Sequence, residues 1–534
     1  MKWHIPFFWL FVFLLSLLLL FAGGRTAPQD EETAYRMAAN LIESGRLTIT
    51  TQDFTLETQT FPGFLPHIQP RTLITTWAGP GSDGRTYPQY THAQSLFEMP
   101  LYLLGRLPGG APVTLSSVAF TKFTTSLLNP ILIALTGWLV AVFASRLGMS
   151  YRLSVVLGLA SPLATMALAY IDTNFSEPSL ALAVLAATYA VERARSDHPL
   201  RCLACAGAAL GLALYTRERS IILLPPFLLY VFLTQPRRRW TGWLAFFIPI
   251  GIAGALIGAW NWLRFGSPLT TSYAAWQPET GFSTPIGVGV YGLWLSAGKG
   301  LLFYNPIAWL GLIGLIPLWR RDRSLAALIG LLLLIPTFFF ARYDLWTGGW
   351  NWGPRYLLPL IPLLVLTAGV WVQAKPTRFR RGALIAVCAL GVILNAPAIL
   401  VDHSRYMVEA GERDPEHYLT RTLLQFDAAP LAQQWPTVFE VARLYQQPGA
   451  WVAAQQALDQ HLQRPTGGSD LESLSTSLLW VDEFVRLNLP APWFVRAFVL
   501  GYPTWAIGLT VSALLVLLAS ASYKLFRALR TSSA

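Results

Sequence analysis

The sequence predicts an all-α polytopic membrane protein with about twelve transmembrane helices. Of its 534 residues, 54% are hydrophobic and only 13% are charged, whereas soluble globular proteins carry about 25% charged residues. The mean hydropathy is +0.45, and the apolar residues form blocks of about 20 residues, the length at which a helix crosses a bilayer. These observations exclude a single soluble domain.

The first apolar block, 5–22, follows a charged start and has the layout of a signal peptide. Because its apolar run is long and ends in Gly23-Gly24-Arg25 without a small-x-small cleavage site, we interpret it as a first transmembrane helix. The other predicted spans are 117–145, 152–171, 176–193, 200–216, 219–235, 240–262, 303–320, 324–341, 355–374, 382–401 and 504–526.

Basic residues alternate between the gaps, which predicts the orientation of the chain. Lys and Arg in short loops are held on the cytoplasmic side of a membrane. In this layout both termini are cytoplasmic and the protein is a multi-pass protein of the cell membrane. The gaps assigned to the cytoplasm contain Arg146 and Arg152; Arg193, Arg195 and Arg201; Arg237, Arg238 and Arg239; Arg320, Arg321 and Arg323; Lys375, Arg378, Arg380 and Arg381; and Lys524, Arg527 and Arg530.

The gaps on the opposite, extracytoplasmic side are longer, so we expect the functional site there. The apolar stretch 93–107 contains Glu98 and Pro100, and counting it as a span would invert the later basic gaps, so it is predicted to be an interfacial helix packed on the bundle. The predicted units are a transmembrane domain at 1–401 with external loop 1 at 23–116, an external helical segment at 402–503, and a last helix with its tail at 504–534.

The distribution of charge argues against nucleic-acid binding, and the lack of two similar halves argues against a transporter. The charge is 39 − 28 = +11, but the cations lie in short gaps rather than on one face, so nucleic acid is not a predicted partner. Many secondary transporters contain two similar halves with broken helices, and no such pair stands out here. A transporter is therefore disfavoured but stays an alternative.

Two acidic residues directly after the first span are the candidate catalytic groups. Asp30 and Glu31 begin an amphipathic helix, where acidic residues also complement the helix dipole. A carboxylate at the outer membrane surface can instead act as general base for an acceptor hydroxyl. Both interpretations are open at this point.

Three cations at the predicted outer ends of spans are candidates for binding an anion: Arg217, Lys299 and Arg355. An ionisable group at the bilayer centre costs about 2.5–3.5 kcal/mol on insertion scales, so such groups need a partner, a cavity or a function. Snorkelling to the surface is one explanation. The other is that they gather around a lipid-linked phosphate, whose oxygens guanidinium and ammonium groups neutralise.

Further candidates for substrate binding lie in the same external segments. The stretch 346–356 combines three tryptophans with a Gly-rich turn, and aromatic faces stack on sugar rings as well as forming interfacial belts. A lone histidine is a weak ligand candidate because no second histidine stands at ligand spacing. The set comprises His92, Glu177, Tyr304, Trp350, Trp352 and Tyr356.

Taken in order, these segments resemble the GT-C superfamily of integral-membrane glycosyltransferases, related to bacterial protein O-mannosyltransferases and lipid A aminoarabinose transferases. The resemblance spans roughly residues 5–400. It rests on the acidic pair Asp30-Glu31, DGRTYPQYTHAQSLFEMPLYLLG at 83–105, FSEP at 175–178, LYTRERS at 214–220, GKGLLFYNP at 298–306 and WTGGWNWGPRYLLPLIPLL at 346–364.

The resemblance implies a GT-C-type bundle that transfers a sugar from a polyprenyl-phosphate donor to a glycan, lipid or protein acceptor at the extracytoplasmic face, with inversion. It implies that an acid of the first external loop is the base or positions the acceptor; Asp30 matches best and Glu31 is the other candidate. No organic cofactor is predicted, and a divalent metal, which some relatives bind, has no assignable ligands. The alternatives are a transporter or flippase of lipid-linked sugars, a polysaccharide ligase or polymerase, and a non-enzymatic membrane partner.

Overall fold

The computed structural model describes residues 5–27, 29–50, 53–56, 71–107, 113–235, 240–462 and 469–531. Most of this chain is helical. The strands in it form two small antiparallel pairs, Asp53–Leu56 with Arg71–Ile74 and Ala78–Pro80 with Thr86–Pro88. The predicted all-α polytopic class is confirmed.

The helices follow one another along the chain with short connections. The first twelve are α1 (Ile5–Phe21), α2 (Asp30–Ser44), α3 (Ala93–Arg106), α4 (Leu115–Ser126), α5 (Leu128–Arg146), α6 (Tyr151–Leu163), α7 (Glu177–Arg193), α8 (Pro199–Thr216), α9 (Leu224–Thr234), α10 (Trp240–Phe265), α11 (Ser272–Trp276) and α12 (Ile286–Leu295). The others are α13 (Leu301–Tyr304), α14 (Ile307–Arg321), α15 (Arg323–Arg342), α16 (Ile361–Ala374), α17 (Arg378–Asn395), α18 (Ser404–Arg413), α19 (Tyr418–Leu424), α20 (Pro430–Gln446), α21 (Ala450–Leu462), α22 (Leu471–Asn488), α23 (Trp493–Val499) and α24 (Thr504–Thr531). Short 3₁₀ helices cover Met166–Asp172, Glu218–Leu223, Arg355–Leu360 and Ala396–Ile399.

Within the described ranges, seven helical stretches are long and apolar enough to cross a membrane: Leu115–Arg146, Pro199–Thr216, Trp240–Phe265, Arg323–Arg342, Arg355–Ala374, Arg378–Ile399 and Thr504–Thr531. An eighth arises if Tyr151–Leu163 and Met166–Asp172, which meet at 54°, form one span. The other predicted spans coincide with the shorter helices α1, α7, α9 and α14. The predicted count of about twelve stays a prediction.

The basic loops that were predicted to lie on one side of the membrane are found at one end of the bundle. Arg146 pairs with Glu192 at 2.6 Å, Arg195 pairs with Asp322, and Arg321 donates to the carbonyl of Leu147. The gap at Arg237, Arg238 and Arg239 lies outside the described residues. The described gaps thus meet at one end, in agreement with the alternation, while the assignment of that end to the cytoplasm stays a prediction.

The opposite end carries external loop 1, whose helices are anchored on the bundle. The predicted interfacial helix is present as α3, and it packs against α2 and α4. Its buried face includes Glu98, Tyr102 and Gly105. Gly105 is required there because a Cβ atom would lie 2.8 Å from the Cα atom of Thr121 on α4.

The described residues of 402–503 form helices α18 to α23, and buried ion pairs join this segment to the start of external loop 1 and to α4. Arg25 lies 2.7 Å from Asp172 and 2.9 Å from Asp402, and all three side chains are largely buried. Lys122 on α4 lies 3.0 Å from Glu32 on α2 and 3.6 Å from Asp482 on α22. Because unpaired buried charges are costly, these pairs fix the start of α2 between the bundle and the external segment.

We expect Lys122→Met to lower the free energy of unfolding by about 3–5 kcal/mol, because it removes one partner from a buried ion-pair network. Denaturant unfolding of the purified protein in detergent measures this change. The control is Arg413→Met, which removes an exposed pair with Glu409 on the surface of the external segment and leaves stability nearly unchanged. Equal effects of the two substitutions would contradict the structural role of Lys122.

Candidate active site

The start of α2 places Asp30 at the end of the bundle opposite the basic gaps. Gln29, directly before it, adopts φ 71°, a region that side chains rarely occupy. This conformation is held by a hydrogen bond from the Gln29 N–H to the carbonyl of Thr75, at 2.9 Å. The strained turn directs the first residue of the helix into the interior, where Asp30 is 9% exposed.

Asp30 is surrounded by one hydroxyl and two guanidinium groups. The Tyr90 hydroxyl donates to Asp30 Oδ1 at 2.6 Å. Asp30 Oδ2 lies 3.5 Å from Arg217 Nη2 and 3.4 Å from Arg355 Nη1. The structure therefore unites three residues that the sequence placed in different external segments.

Each guanidinium is oriented by further contacts. Arg217 Nε donates to Ser176 Oγ at 2.7 Å, and its guanidinium lies 3.7 Å from the centre of the Tyr90 ring. Arg355 Nε lies 3.7 Å from Glu177 Oε1. The Arg217 Nη1 and Arg355 Nε atoms are buried without a hydrogen-bond partner among the described residues, so both retain donor capacity for an anion.

The loop before Arg355 needs glycine. Gly348 has φ 70°, and a Cβ atom on it would lie 2.9 Å from Arg355 Cγ. A side chain at this position would displace the arginine as well as strain the backbone. The predicted sharp turn at 348–349 is thus what brings Arg355 to the carboxylate.

Electrostatics keep Asp30 ionised. Burial by itself raises the pKa of Asp30, but the nearby Arg217 and Arg355 and the hydrogen bond from Tyr90 outweigh it and hold the pKa below its ordinary value. The carboxylate is a weak base in this state, and any anion that draws the two guanidinium groups away would make it stronger.

Two cavities meet at Arg217. The first has about 480 Å³ of empty space and is mostly apolar, with charged groups at one end; its lining includes Leu180, Ile222, Leu223, Phe340, Pro359 and Leu360 as well as Glu177, Arg217, Arg219 and Tyr356. The second has about 420 Å³ of empty space and is lined by polar residues with Ala34, Met37, Pro88 and Phe175 among them; the polar ones include Asp30, Thr33, Tyr90, Thr91, Gln94, Ser95, Asn174, Ser176 and Arg217. The first lining is suited to an apolar group and the second offers more polar partners, and Arg217 is common to both.

Glu31 lies in a different environment from Asp30. Its carboxylate accepts the N–H of Ala27 at 3.0 Å, and the side chain is buried. Burial raises the pKa of Glu31 to about 8, although that hydrogen bond opposes the shift. Burial and then the charge of Glu31 also raise the pKa of Glu98. Glu31 is therefore a protonated, packed side chain at neutral pH.

The structure places Lys299 away from the Asp30 carboxylate. Its ammonium donates to the carbonyls of Gly349, at 2.8 Å, and of Asn351. Burial, with a smaller contribution from Arg355, lowers the pKa of Lys299 to about 7. These contacts let Lys299 hold the turn that positions Arg355, and its predicted contact with a donor phosphate stays a prediction.

Of the predicted substrate-binding residues, Glu177 and Tyr356 line the apolar cavity, and the other four lie elsewhere. His92 packs against Trp260, with ring centres 3.8 Å apart. Tyr304 and Trp352 contact each other edge to face in the core. Trp350 packs against Tyr418 of the external segment. The predicted stacking of Trp350 and Trp352 on a sugar stays a prediction.

Sequence reasoning did not single out Tyr90, which contacts both Asp30 and Arg217. Arg219 was not among the candidates for anion binding, yet its guanidinium lies 4.8 Å from the centre of the Tyr356 ring beside the apolar cavity. The only feature of the sequence that could have indicated Tyr90 is the pair of tyrosines at positions 87 and 90. A tyrosine in a predicted surface turn does not show which residue its hydroxyl will contact. Among the residues that the structure describes, no three His, Cys, Asp or Glu side chains are grouped to hold a metal ion.

Comparison with known proteins gives a family match and several structural matches, among them two crystal structures of one protein. Residues 115–263 match the family described as dolichyl-phosphate-mannose-protein mannosyltransferase. The crystal structure of ArnT from Cupriavidus metallidurans in the apo state is 14% identical, with a TM-score of 0.47 over 91% of this chain and 75% of that one. The same protein bound to undecaprenyl phosphate is 15% identical, with a TM-score of 0.48 over 93% and 78%. None of the curated proteins matches the chain. The family match confirms the predicted resemblance to membrane glycosyltransferases for 115–263, and the predicted class of enzyme agrees with it.

The raised pKa of Glu31 predicts a pH-dependent stability. Because the folded state binds this proton more tightly than the unfolded chain, the contribution of Glu31 is complete below about pH 4.5 and is lost as the pH rises through about 8. We expect wild-type protein to lose stability relative to Glu31→Gln, its neutral mimic, between pH 5 and pH 8. Denaturant unfolding of both proteins across this range measures the difference, and parallel curves would refute it.

Proposed function

We propose that the chain transfers a sugar from a polyprenyl-phosphate donor to an acceptor hydroxyl at the extracytoplasmic face of the membrane. One observation carries the proposal: the buried carboxylate of Asp30 faces the buried guanidinium of Arg217 and the partly buried guanidinium of Arg355 where two cavities meet. The family match at 115–263 supports it, because that family is described by a lipid-phosphate sugar donor.

The donor lies across the junction of the two cavities. Its isoprenoid chain occupies the apolar cavity, its phosphate lies against Arg217 and Arg355, and its sugar extends into the polar cavity beside Asp30. In this pose Arg217 Nη1, which is buried without a hydrogen-bond partner among the described residues, donates to a phosphate oxygen. Hydrogen bonds between charged partners are the stronger kind, so this contact favours the charge that develops on the leaving phosphate.

Asp30 acts as the general base. The acceptor hydroxyl gives its proton to a carboxylate oxygen while its own oxygen bonds to the anomeric carbon, and the bond from that carbon to the phosphate oxygen breaks with its electron pair leaving on the phosphate. Displacement in one step inverts the anomeric carbon. As negative charge grows on the phosphate, Arg217 and Arg355 turn toward it, and the pKa of Asp30 rises as the proton arrives.

The position of the charged groups favours this chemistry over a flippase. A flippase would carry the lipid-linked sugar through the middle of the bundle. Asp30 begins α2, Arg217 follows the end of α8, and Arg355 begins its span, so all three lie at one end of the bundle. A reaction centre at one membrane surface fits this placement.

We expect Asp30→Asn to lower kcat for labelled-sugar transfer by about 10²–10⁴-fold, the usual contribution of a general base. The assay incubates purified protein in detergent with polyprenyl-phosphate sugars and a membrane acceptor fraction. Asp83→Asn, in an exposed turn of the same external loop, is the matched control and leaves transfer unchanged. Full transfer by Asp30→Asn would remove Asp30 as the base, and no transfer by wild type from any such donor would reject the function.

We expect Arg355→Ala to weaken donor binding by about 10- to 100-fold, because it removes a charged hydrogen-bond donor from a buried phosphate site. Binding is measured directly with a polyprenyl phosphate. Arg342→Ala, at an exposed arginine near the same end of the bundle, serves as the control. Unaltered affinity in Arg355→Ala would reject the phosphate contact.

A further inference from the structure

Several large apolar side chains are exposed on the external segment, on and between α19 and α20. Phe426 is 57% exposed and Phe439 is 56% exposed. Leu419 and Leu424 on α19 are also exposed, and Trp435, half-buried, stacks on Phe439 with ring centres 5.8 Å apart. Together these five residues form the α19–α20 surface. Exposed apolar side chains grouped in this way mark a contact with another apolar phase.

Three contacts fix the α19–α20 surface at the level where two spans end. The Trp435 indole N–H donates to the carbonyl of Ile393, near the end of α17, at 2.9 Å. The Phe426 ring packs edge to face on Phe303, just before α14, with ring centres 4.9 Å apart. The N–H of Gly298 donates to the carbonyl of Leu423 at 3.0 Å. The surface therefore does not stand away from the bundle.

The α19–α20 surface is next to the exposed apolar sides of α14 and α17. On α17, Ile385, Leu390 and Ile393 are exposed, and on α14, Trp309, Ile313 and Ile316 are exposed. The stretch that contains α17 is long and apolar enough to span a membrane, and α14 coincides with a shorter predicted span. Membrane-spanning helices present such side chains to lipid tails. The α19–α20 surface extends this lipid-facing surface beyond the ends of the spans.

Charged residues border the apolar ones in the manner of an interfacial helix. Arg421 on α19, which pairs with Asp414 at 3.3 Å, and Arg443 on α20 are exposed, as is Glu440 beside Phe439. Arginine side chains next to an apolar face reach the phosphates of lipid headgroups. Tryptophan, here Trp435, is enriched at the same depth of a bilayer.

We propose that the α19–α20 surface lies in the interfacial layer of the lipid leaflet at this end of the bundle. The occupant is the bilayer itself, because the surface continues the lipid-facing sides of α14 and α17. The external segment is then held twice, by lipid under α19 and α20 and by the buried ion pairs of Arg25 on external loop 1 and Lys122 on α4. This double attachment fixes the height of the start of α2, and hence of Asp30, relative to the membrane surface.

The test measures the lipid exposure of single labelled positions in proteoliposomes. Cys202, Cys205 and Cys388 are first replaced by Ala, and Phe426→Cys and Phe439→Cys are then introduced separately and labelled with an environment-sensitive NBD dye. The matched control is Gln456→Cys, an exposed position on α21 of the same segment. Vesicles of phosphatidylethanolamine and phosphatidylglycerol carry either nitroxide-labelled lipid or aqueous iodide as quencher, at a low protein-to-lipid ratio.

At positions 426 and 439 we expect nitroxide lipid to remove most of the fluorescence and iodide to have little effect, with the reverse at position 456. Strong iodide quenching at all three positions would overturn the proposal. Protection of 426 and 439 from both quenchers would also overturn it, because it would show that protein, such as a second copy of this chain, covers the surface. Size-exclusion elution identical to that of the cysteine-free parent shows that each variant is folded.

Discussion

The candidate site depends on the ion pairs between one buried carboxylate, Asp30, and the arginines around it. Asp30 and Glu177 carry two negative charges, and Arg217, Arg219 and Arg355 carry three positive ones, which leaves 3 − 2 = +1 at the junction of the two cavities. Charge buried out of water is costly unless it is balanced. A phosphodiester, with one negative charge, supplies the balance, so the protein favours the proposed donor before any chemistry takes place.

Three consecutive acids show how strongly tertiary contacts set chemistry. The pKa of Asp30 is lowered by two arginines against the effect of burial, and burial raises that of Glu31 to about 8. Burial would also raise the pKa of Glu32, but Lys122 and then Arg36 outweigh it and lower the pKa to about 2. Successive helical residues point about 100° apart. Asp30 therefore faces the cavities, Glu31 faces the loop at Asn174, and Glu32 faces the external segment.

Most of the charged residues of the candidate site could be selected from the sequence, because each of them stands beside a membrane span. Asp30, Arg217 and Arg355 could be found because a charge beside a membrane span is costly and needs a reason. The same reasoning selected Lys299, but whether an ammonium binds a ligand or two backbone carbonyls depends on the course of the 348–351 turn. The hydrogen bond from Tyr90 joins residues 60 positions apart. The order of the helices followed from hydropathy, whereas the docking of 402–503 on external loop 1 depends on pairings that no local pattern encodes.

Charge balance is also compatible with the proposed reaction in a buried site. With the proposed donor bound, three arginines would face Asp30, Glu177 and a singly charged phosphodiester, and the sum would be zero. After the proposed transfer the acceptor proton would be on Asp30 and the phosphate monoester would carry two negative charges, so the sum would again be zero. The negative charge moves from the carboxylate to the phosphate across the two guanidinium groups that contact Asp30. Because no net charge is created in a poorly solvated site, catalysis needs only a small reorientation of Arg217 and Arg355.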